Sequence, residues 1–219
     1  MIFSGFGHRP DELGGYSKDT LAKLIAFAVE TIPQFGPTKI ISGMTLGWEQ
    51  ALAMAAIELE IPLTIALPFQ GQEKVWPDRA QAFYHSVVDR ATEVKLVCPG
   101  GFDAKKFWER DQWTIEHCDA IFVLWKNWEN PGDDISDTMM QQYFQQFLVL
   151  LEANPGIPDF SQATKPPKNT NGIMRRSLEY AEDKDRHIYH LWPMWETWDA
   201  DLRFENFRDS IMDMSLFEG

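Results

Sequence analysis

The sequence predicts an α/β fold: a mostly parallel sheet with helices on both faces, an insertion after the fifth strand and a helical C-terminal tail. Three observations predict it. Short apolar runs alternate with segments of helical period along most of the 219 residues, the pattern of successive βα units joined by right-handed crossovers. The β-branched run Thr38–Ile41 stops at Ser42-Gly43 and feeds a small-residue helix from about Leu46 through Ala51, Ala53, Ala55 and Ala56. The run Asp119–Trp125 is apolar without alternation, as expected of a strand at a sheet centre.

The elements follow in order. Ile2–Phe6 reads as the first strand. The loop Gly7–Tyr16 carries Pro10 and the pair Gly14-Gly15, which oppose helix. Ser17 is an N-cap residue, and Leu21, Leu24, Ile25, Ala28 and Ile32 recur at helical spacing until Gly36-Pro37 closes the helix. After the second strand and its helix, Ile61–Leu67 is the third strand, between Pro62 and Pro68. The loop 68–77 is polar with two aromatics. Asp78–Arg90 reads as a helix, Glu93–Cys98 as the fourth strand and Ala104–His117 as another helix. The fifth strand, Asp119–Trp125, comes next.

From 126 to 171 the alternation breaks. This stretch reads as an insertion with one amphipathic helix, Asp137–Ala153, followed by a Pro-, Lys- and Asn-rich segment. Gly172–Asp183 resumes as a helix and His187–Trp192 as a sixth strand, so one domain spans 1–192. The tail 193–219 has Trp195, Trp198, Leu202, Phe207 and Ile211 at helical spacing over an acidic face. It packs on its own domain or serves self-association.

Composition narrows the function. A net charge of −13 disfavours nucleic acid as a partner, because that affinity comes largely from Lys and Arg neutralising phosphates. A small anionic ligand is compatible with it. No apolar run approaches the roughly 20 residues that a membrane helix needs. The N-terminus has no basic leader and reads directly as a strand, which argues for a cytoplasmic protein without a membrane partner. Cys98 and Cys118 read as buried reduced thiols. The five histidines, His8, His85, His117, His187 and His190, show no zinc-ligand spacing with them, so neither metal nor cofactor is expected.

In a parallel sheet, ligands bind beyond the carboxyl ends of the strands. The Gly-rich loops after the first four strands would all leave that edge. The strand, Gly turn and helix at 38–56 also aim unpaired backbone N–H groups and a helix dipole at one point, where an anion can settle. Gly43-x-x-x-Gly47 matches neither the P-loop spacing nor the dinucleotide fingerprint.

Four ordered motifs carry a resemblance. Gly5-Phe6-Gly7-His8-Arg9-Pro10 with Leu13-Gly14-Gly15-Tyr16 resembles the TGHRP…LGGY opening of bacterial and phage SLOG-superfamily proteins. Ser42-Gly43-Met44-Thr45-Leu46-Gly47-Trp48-Glu49 is similar to their SGMALGVD. Pro68-Phe69-Gln70-Gly71-Gln72 with Trp76-Pro77 is similar to PFEGQ…WP, and Arg110-Asp111-Gln112-Trp113 with Cys118-Asp119 to RNxW…CD. The likeness runs from residue 1 to about 125 and is nearest the YpsA-like branch. It implies a Rossmann-like sheet that binds nucleotides or their ribose-phosphate parts. Relatives of that superfamily include the LONELY GUY phosphoribohydrolases, the DNA-processing protein A and sensors of ADP-ribose-type signals. One departure is plain. Where the family has a GGT phosphate turn before an N..YA helix, this chain has Asn169-Thr170-Asn171-Gly172, after an insertion of about forty residues. The second phosphate cradle, with Asn171 and Gly172 as its candidates, is therefore degraded or rebuilt.

Candidate residues carry two readings each. Arg9 holds a phosphate or pairs with Asp11 or Glu12. His8 donates to the ligand or shapes the turn. Gly7, Ser42, Gly43, Met44 and Gly47 line the strand–helix turns. Glu49 caps its helix or grips ribose, and as the one catalytic candidate it would stabilise an oxocarbenium-like sugar. Arg110 points at the ligand or pairs with its flanking Glu109 and Asp111. Phe69 and Trp76 stack on a base or pack their own loop. Three functions fit: a binder of a ribose-phosphate or ADP-ribose-type small-molecule nucleotide that senses or sequesters it, an N-glycosidic-bond hydrolase acting on a nucleotide, or an oligomeric interaction protein with a vestigial pocket.

Overall fold

A computed structural model describes residues 1–126 and 171–198. The six strands are β1 (Ile2–Gly7), β2 (Lys39–Ser42), β3 (Leu63–Leu67), β4 (Glu93–Leu96), β5 (Ala120–Leu124) and β6 (His187–His190). All pair in parallel, in the order β4-β3-β2-β1-β5-β6. The helices are α1 (Lys18–Thr31), α2 (Trp48–Glu58), α3 (Asp78–Val88), α4 (Lys105–Glu116), α5 (Asn171–Asp183) and α6 (Trp192–Thr197). The α/β reading and its parallel sheet hold. The expected helix 137–153 and the tail beyond 198 lie outside the described residues.

Alternation along each strand builds two cores. In β5, Ala120, Phe122 and Leu124 join one cluster with Phe27, Trp48, Leu52 and Trp192, while Ile121, Val123 and, just after the strand, Trp125 join the other with Ile115, Leu178 and Ala181. Helices therefore cover both faces, α1, α2 and α6 on one and α4 and α5 on the other. Burial of both faces is why β5 reads as a continuous apolar run.

Local rules explain where the elements begin and end. Ser17 caps α1, its hydroxyl accepting from the Thr20 N–H at 3.0 Å. The loop after β1 contains one 3-10 turn, Pro10–Glu12, because Pro is tolerated in a first helical turn. Helix α2 starts at Trp48 rather than near Leu46. Its N-cap, Gly47, has φ 97° and ψ −123°, a backbone state open mainly to glycine. β6 stops at His190 instead of running to Trp192, since Pro193 lies in the first turn of α6. From α6, Trp195 packs edge-on against Phe27 of α1, and the Trp198 indole N–H donates to Glu30 at 3.0 Å. This much of the tail region packs on its own domain.

Candidate functional site

The chain runs outward from β1 through β2 and β3 to β4, then returns to place β5 on the other side of β1. The topological switch point lies between β1 and β5, and every loop that follows a strand leaves the carboxyl edge of the sheet. His8 and Arg9 follow β1 directly. The His8 N–H donates to the Leu124 carbonyl at 2.9 Å, and its Nε2 accepts from the Lys126 N–H at 2.8 Å. With Nε2 accepting, the proton of the neutral ring is on Nδ1. The ring meets Trp192 edge-on. His8 thus ties the ends of β1 and β5 together, and burial pulls its pKa down to about 4.

Glycine lets helix α2 reach this point. A Cβ at Gly7 would lie 2.8 Å from the Trp48 side chain and 2.9 Å from the Leu124 carbonyl. At Gly47 it would lie 2.7 Å from the His8 carbonyl and 3.2 Å from the Arg9 carbonyl carbon. The loops after β1 and β2 are therefore in direct contact. Trp48, fully buried, donates its indole N–H to the Phe122 carbonyl at 3.3 Å and fills the space left by Gly5 and Gly7.

The turn after β2 is built around Arg110 of α4. Its Nη1 donates to the Gly43 carbonyl at 2.8 Å and to Glu49 Oε2 at 3.3 Å, and its Nε donates to Asp111 Oδ1 at 2.7 Å. Glu49 Oε2 also accepts from the Thr45 N–H at 3.3 Å. Gln72, after β3, donates to the same Gly43 carbonyl at 3.2 Å. The Ser42 hydroxyl donates to the Glu49 carbonyl and accepts from the Met44 N–H. Met44 itself is fully buried at φ 60°. A Cβ on Gly43 would overlap the Arg110 guanidinium, so the space above this turn belongs to Arg110.

Glu49, Arg110 and Asp111 are all buried, and two carboxylates share one guanidinium. Burial raises the Asp111 pKa to about 6, against the pull of Arg110 and with the push of Glu49. A buried carboxyl titrating near neutrality is a mark of functional sites, though structural ion pairs also produce it.

These two groups respond to acid in opposite senses. The raised Asp111 pKa contributes stability that is complete below about 3.8 and is lost as pH rises through about 6. The depressed His8 pKa contributes stability that is complete above about 6.5 and is lost as pH falls through about 4. Asp111→Asn removes the first effect alone. Between pH 6 and pH 4 that variant should lose roughly 2–3 kcal/mol more stability than the parent protein. Denaturant midpoints across that range check this, and parallel profiles contradict it.

The structure brings Gly7, His8, Arg9, Ser42, Gly43, Met44, Gly47, Glu49 and Arg110 to one edge of the sheet. Arg110 takes the second of its sequence readings, a buried ion pair, with Asp111 and also with Glu49. Arg9 pairs with neither Asp11 nor Glu12 among the described residues; the Asp11 carboxylate instead accepts from the Tyr16 hydroxyl at 3.5 Å. Phe69 packs edge-on against Phe102 and Phe107, and Trp76 against Tyr84. Asn171 and Gly172 open α5, but their side chains lie outside the described residues. Trp48, Gln72 and the Asp111 carboxylate were not singled out as site residues. Trp48 was hidden because an indole after Gly47 has no sequence signature for reaching β5, and Gln72 because its partner is a backbone carbonyl.

An all-parallel sheet with helices on both faces and loops converging at one switch point defines a Rossmann-like α/β protein. The sequence model of YpsA, described as the YspA SLOG family, matches residues 4–149. The chain belongs to this SLOG family. It is 29% identical over 119 residues to an uncharacterized SPbeta prophage-derived protein, YoqJ, of Bacillus subtilis, covering 47% of this chain and 70% of that protein. It is also 24% identical over 137 residues to a UPF0398 protein of Bacillus cereus, covering 58% and 74%, and 28% identical over 131 residues to one of Bacillus velezensis, covering 54% and 71%. No helix among the described residues is long and apolar enough to cross a membrane.

Proposed function

We propose that the chain binds a small nucleotide at the carboxyl edge of β1 and β2, through its ribose-phosphate part, as a sensor or sequestering protein. The observation that carries this reading is Arg9. It follows the central strand beside the switch point, it is only partly buried, and no described carboxylate neutralises it. A guanidinium in that position is available to an oxyanion of the ligand. Arg110, by contrast, is committed to Glu49, Asp111 and the Gly43 carbonyl, and so serves to fix the turn. Family membership supports a ligand of this class by analogy.

The test is a panel of nucleoside monophosphates, NAD and ADP-ribose, followed by calorimetry and thermal shift. One member should bind, and Arg9→Ala should weaken that binding about 10- to 100-fold while leaving the melting temperature of the free protein unchanged. Binding equally tight in the variant, or no binding across the panel, ends the proposal. Release of free base that disappears in Glu49→Gln would move the assignment to an N-glycosidic hydrolase. In that case the Glu49 side chain beside Arg110 would stabilise the sugar cation.

A further inference from the structure

Far from the switch point, β4 forms one edge of the sheet, with β2 and β3 between it and β1. All four of its residues, Glu93-Val94-Lys95-Leu96, are exposed, so no described residue covers either face of the strand. Val94 is 45% and Leu96 41% exposed, and they share one face, while Glu93 and Lys95 share the other.

The hydrogen-bond parity of this strand is determined. The Val97 N–H donates to the Leu67 carbonyl of β3 at 2.8 Å. In a parallel pair, alternate residues turn both backbone groups to the neighbour, so Lys95 and Glu93 face β3 as Val97 does. The N–H and C=O of Val94 and of Leu96 therefore point away from the sheet. An edge like this is a template for another strand, and proteins commonly guard it with charge. Here the guards are of opposite sign, two residues apart, with an apolar residue between them.

We propose that the free edge of β4 is a dimer interface. Two copies of this chain pair antiparallel there about a two-fold axis through Val94, with Glu93 of each copy facing Lys95 of the other. Of the registers that set outward-facing residues opposite one another, this one alone places Glu93 opposite Lys95. Antiparallel pairing must set outward-facing residues opposite one another. Centring the axis on Glu93 would oppose two carboxylates, and centring it on Lys95 would oppose two ammonium groups. Centring it on Val94 opposes a carboxylate and an ammonium on each side of the axis, and like charges directly opposite are the arrangement that destabilises. The Val94 backbone groups then bond to their own copies.

Glu93 is prepared for this role. Its bonds from Lys39 and from the Thr64 hydroxyl both fall on Oε2, at 3.2 Å and 3.1 Å. Those bonds hold the carboxyl ionised, below the usual carboxylate range. Two six-stranded sheets would join into one of twelve, within the range of open sheets in α/β proteins. Strand spacing sets β1 about 14 Å from this edge, so each copy keeps its nucleotide edge open.

Sedimentation and light scattering of the full chain test the proposal in low and moderate salt. The parent chain should run as a dimer of the 25.3 kDa protomer. Val94→Pro removes an outward-pointing N–H without touching the β3 ladder, and should give a folded monomer. Lys95→Glu should also give a monomer, and the exchange Glu93→Lys with Lys95→Glu should recover the dimer. A zero-length carbodiimide should join Glu93 of one copy to Lys95 of another, identified by mass spectrometry in the dimer band. A monomeric parent chain overturns the proposal and leaves the edge to a different partner. A dimer that persists in Val94→Pro and in Lys95→Glu overturns it equally, placing self-association on another surface.

Discussion

Replacing Arg110 by Met should destabilise the fold by about 3–5 kcal/mol, the usual cost of removing one member of a buried ion network. Glu49 and Asp111 are both buried, and Arg110 is their shared counter-charge. Without it two carboxylates face each other in a medium that solvates neither. The Gly43 carbonyl also loses its 2.8 Å donor, leaving Gln72 as its described side-chain partner. Lysine is not a conservative replacement, since a single ammonium cannot reach Asp111, Glu49 and Gly43 in the fork geometry of a guanidinium. Neutralising the carboxylates in the same chain, with Glu49→Gln and Asp111→Asn, should recover much of the loss. Urea denaturation at neutral pH measures both. A loss below about 1 kcal/mol for Arg110→Met would mean that the triad does not hold the turn after β2.

Trp48→Ala should cost a similar amount, about 3–5 kcal/mol, by a different mechanism. The indole is fully buried and occupies the space that Gly5 and Gly7 leave open along β1. Its removal creates a cavity in the larger core, and the Phe122 carbonyl loses the indole donor. Two glycines cannot fill the gap, because neither has a side chain to move into it. Trp48→Phe should recover part of the packing but not the hydrogen bond. Guanidinium unfolding followed by far-ultraviolet circular dichroism avoids interference from the other tryptophans. A cost under about 1.5 kcal/mol would show that α2 closes onto β1 without this residue.

Set beside Arg9→Ala, the two variants separate stability from ligand binding. Arg9 makes no described ion pair, so its removal should leave the fold unmoved. Arg110 and Trp48 position the loops that flank Arg9, so their loss should weaken both.

Much of the fold was legible in the sequence because it is written in local periodicity. Alternating apolar runs and helical faces need only neighbours within a few residues, and the Ser17 cap and the Gly47 turn are local chemistry of the same kind. The end of β6 was misplaced because Leu191 and Trp192 are apolar in either state, and Pro193 decides for helix. The cluster of motifs at one edge was also visible, since parallel strands send their loops the same way. The partners of those residues were not. Arg110 could face the ligand or a carboxylate. Its burial against Gly43 is settled by how α4 docks on the sheet, across a separation of 67 residues.

By itself, then, the sequence determined the class of fold, the membership in a SLOG family and the edge at which the loop motifs gather. Periodicity and short motifs carry that much. The tertiary structure alone decided that β1 lies between β2 and β5, that Arg110 is consumed by Glu49 and Asp111 while Arg9 is not, and that β4 turns Val94 outward with all four of its residues exposed. Strand order, ion pairing and the direction of a backbone N–H are relations between distant segments, fixed when packing brings those segments together.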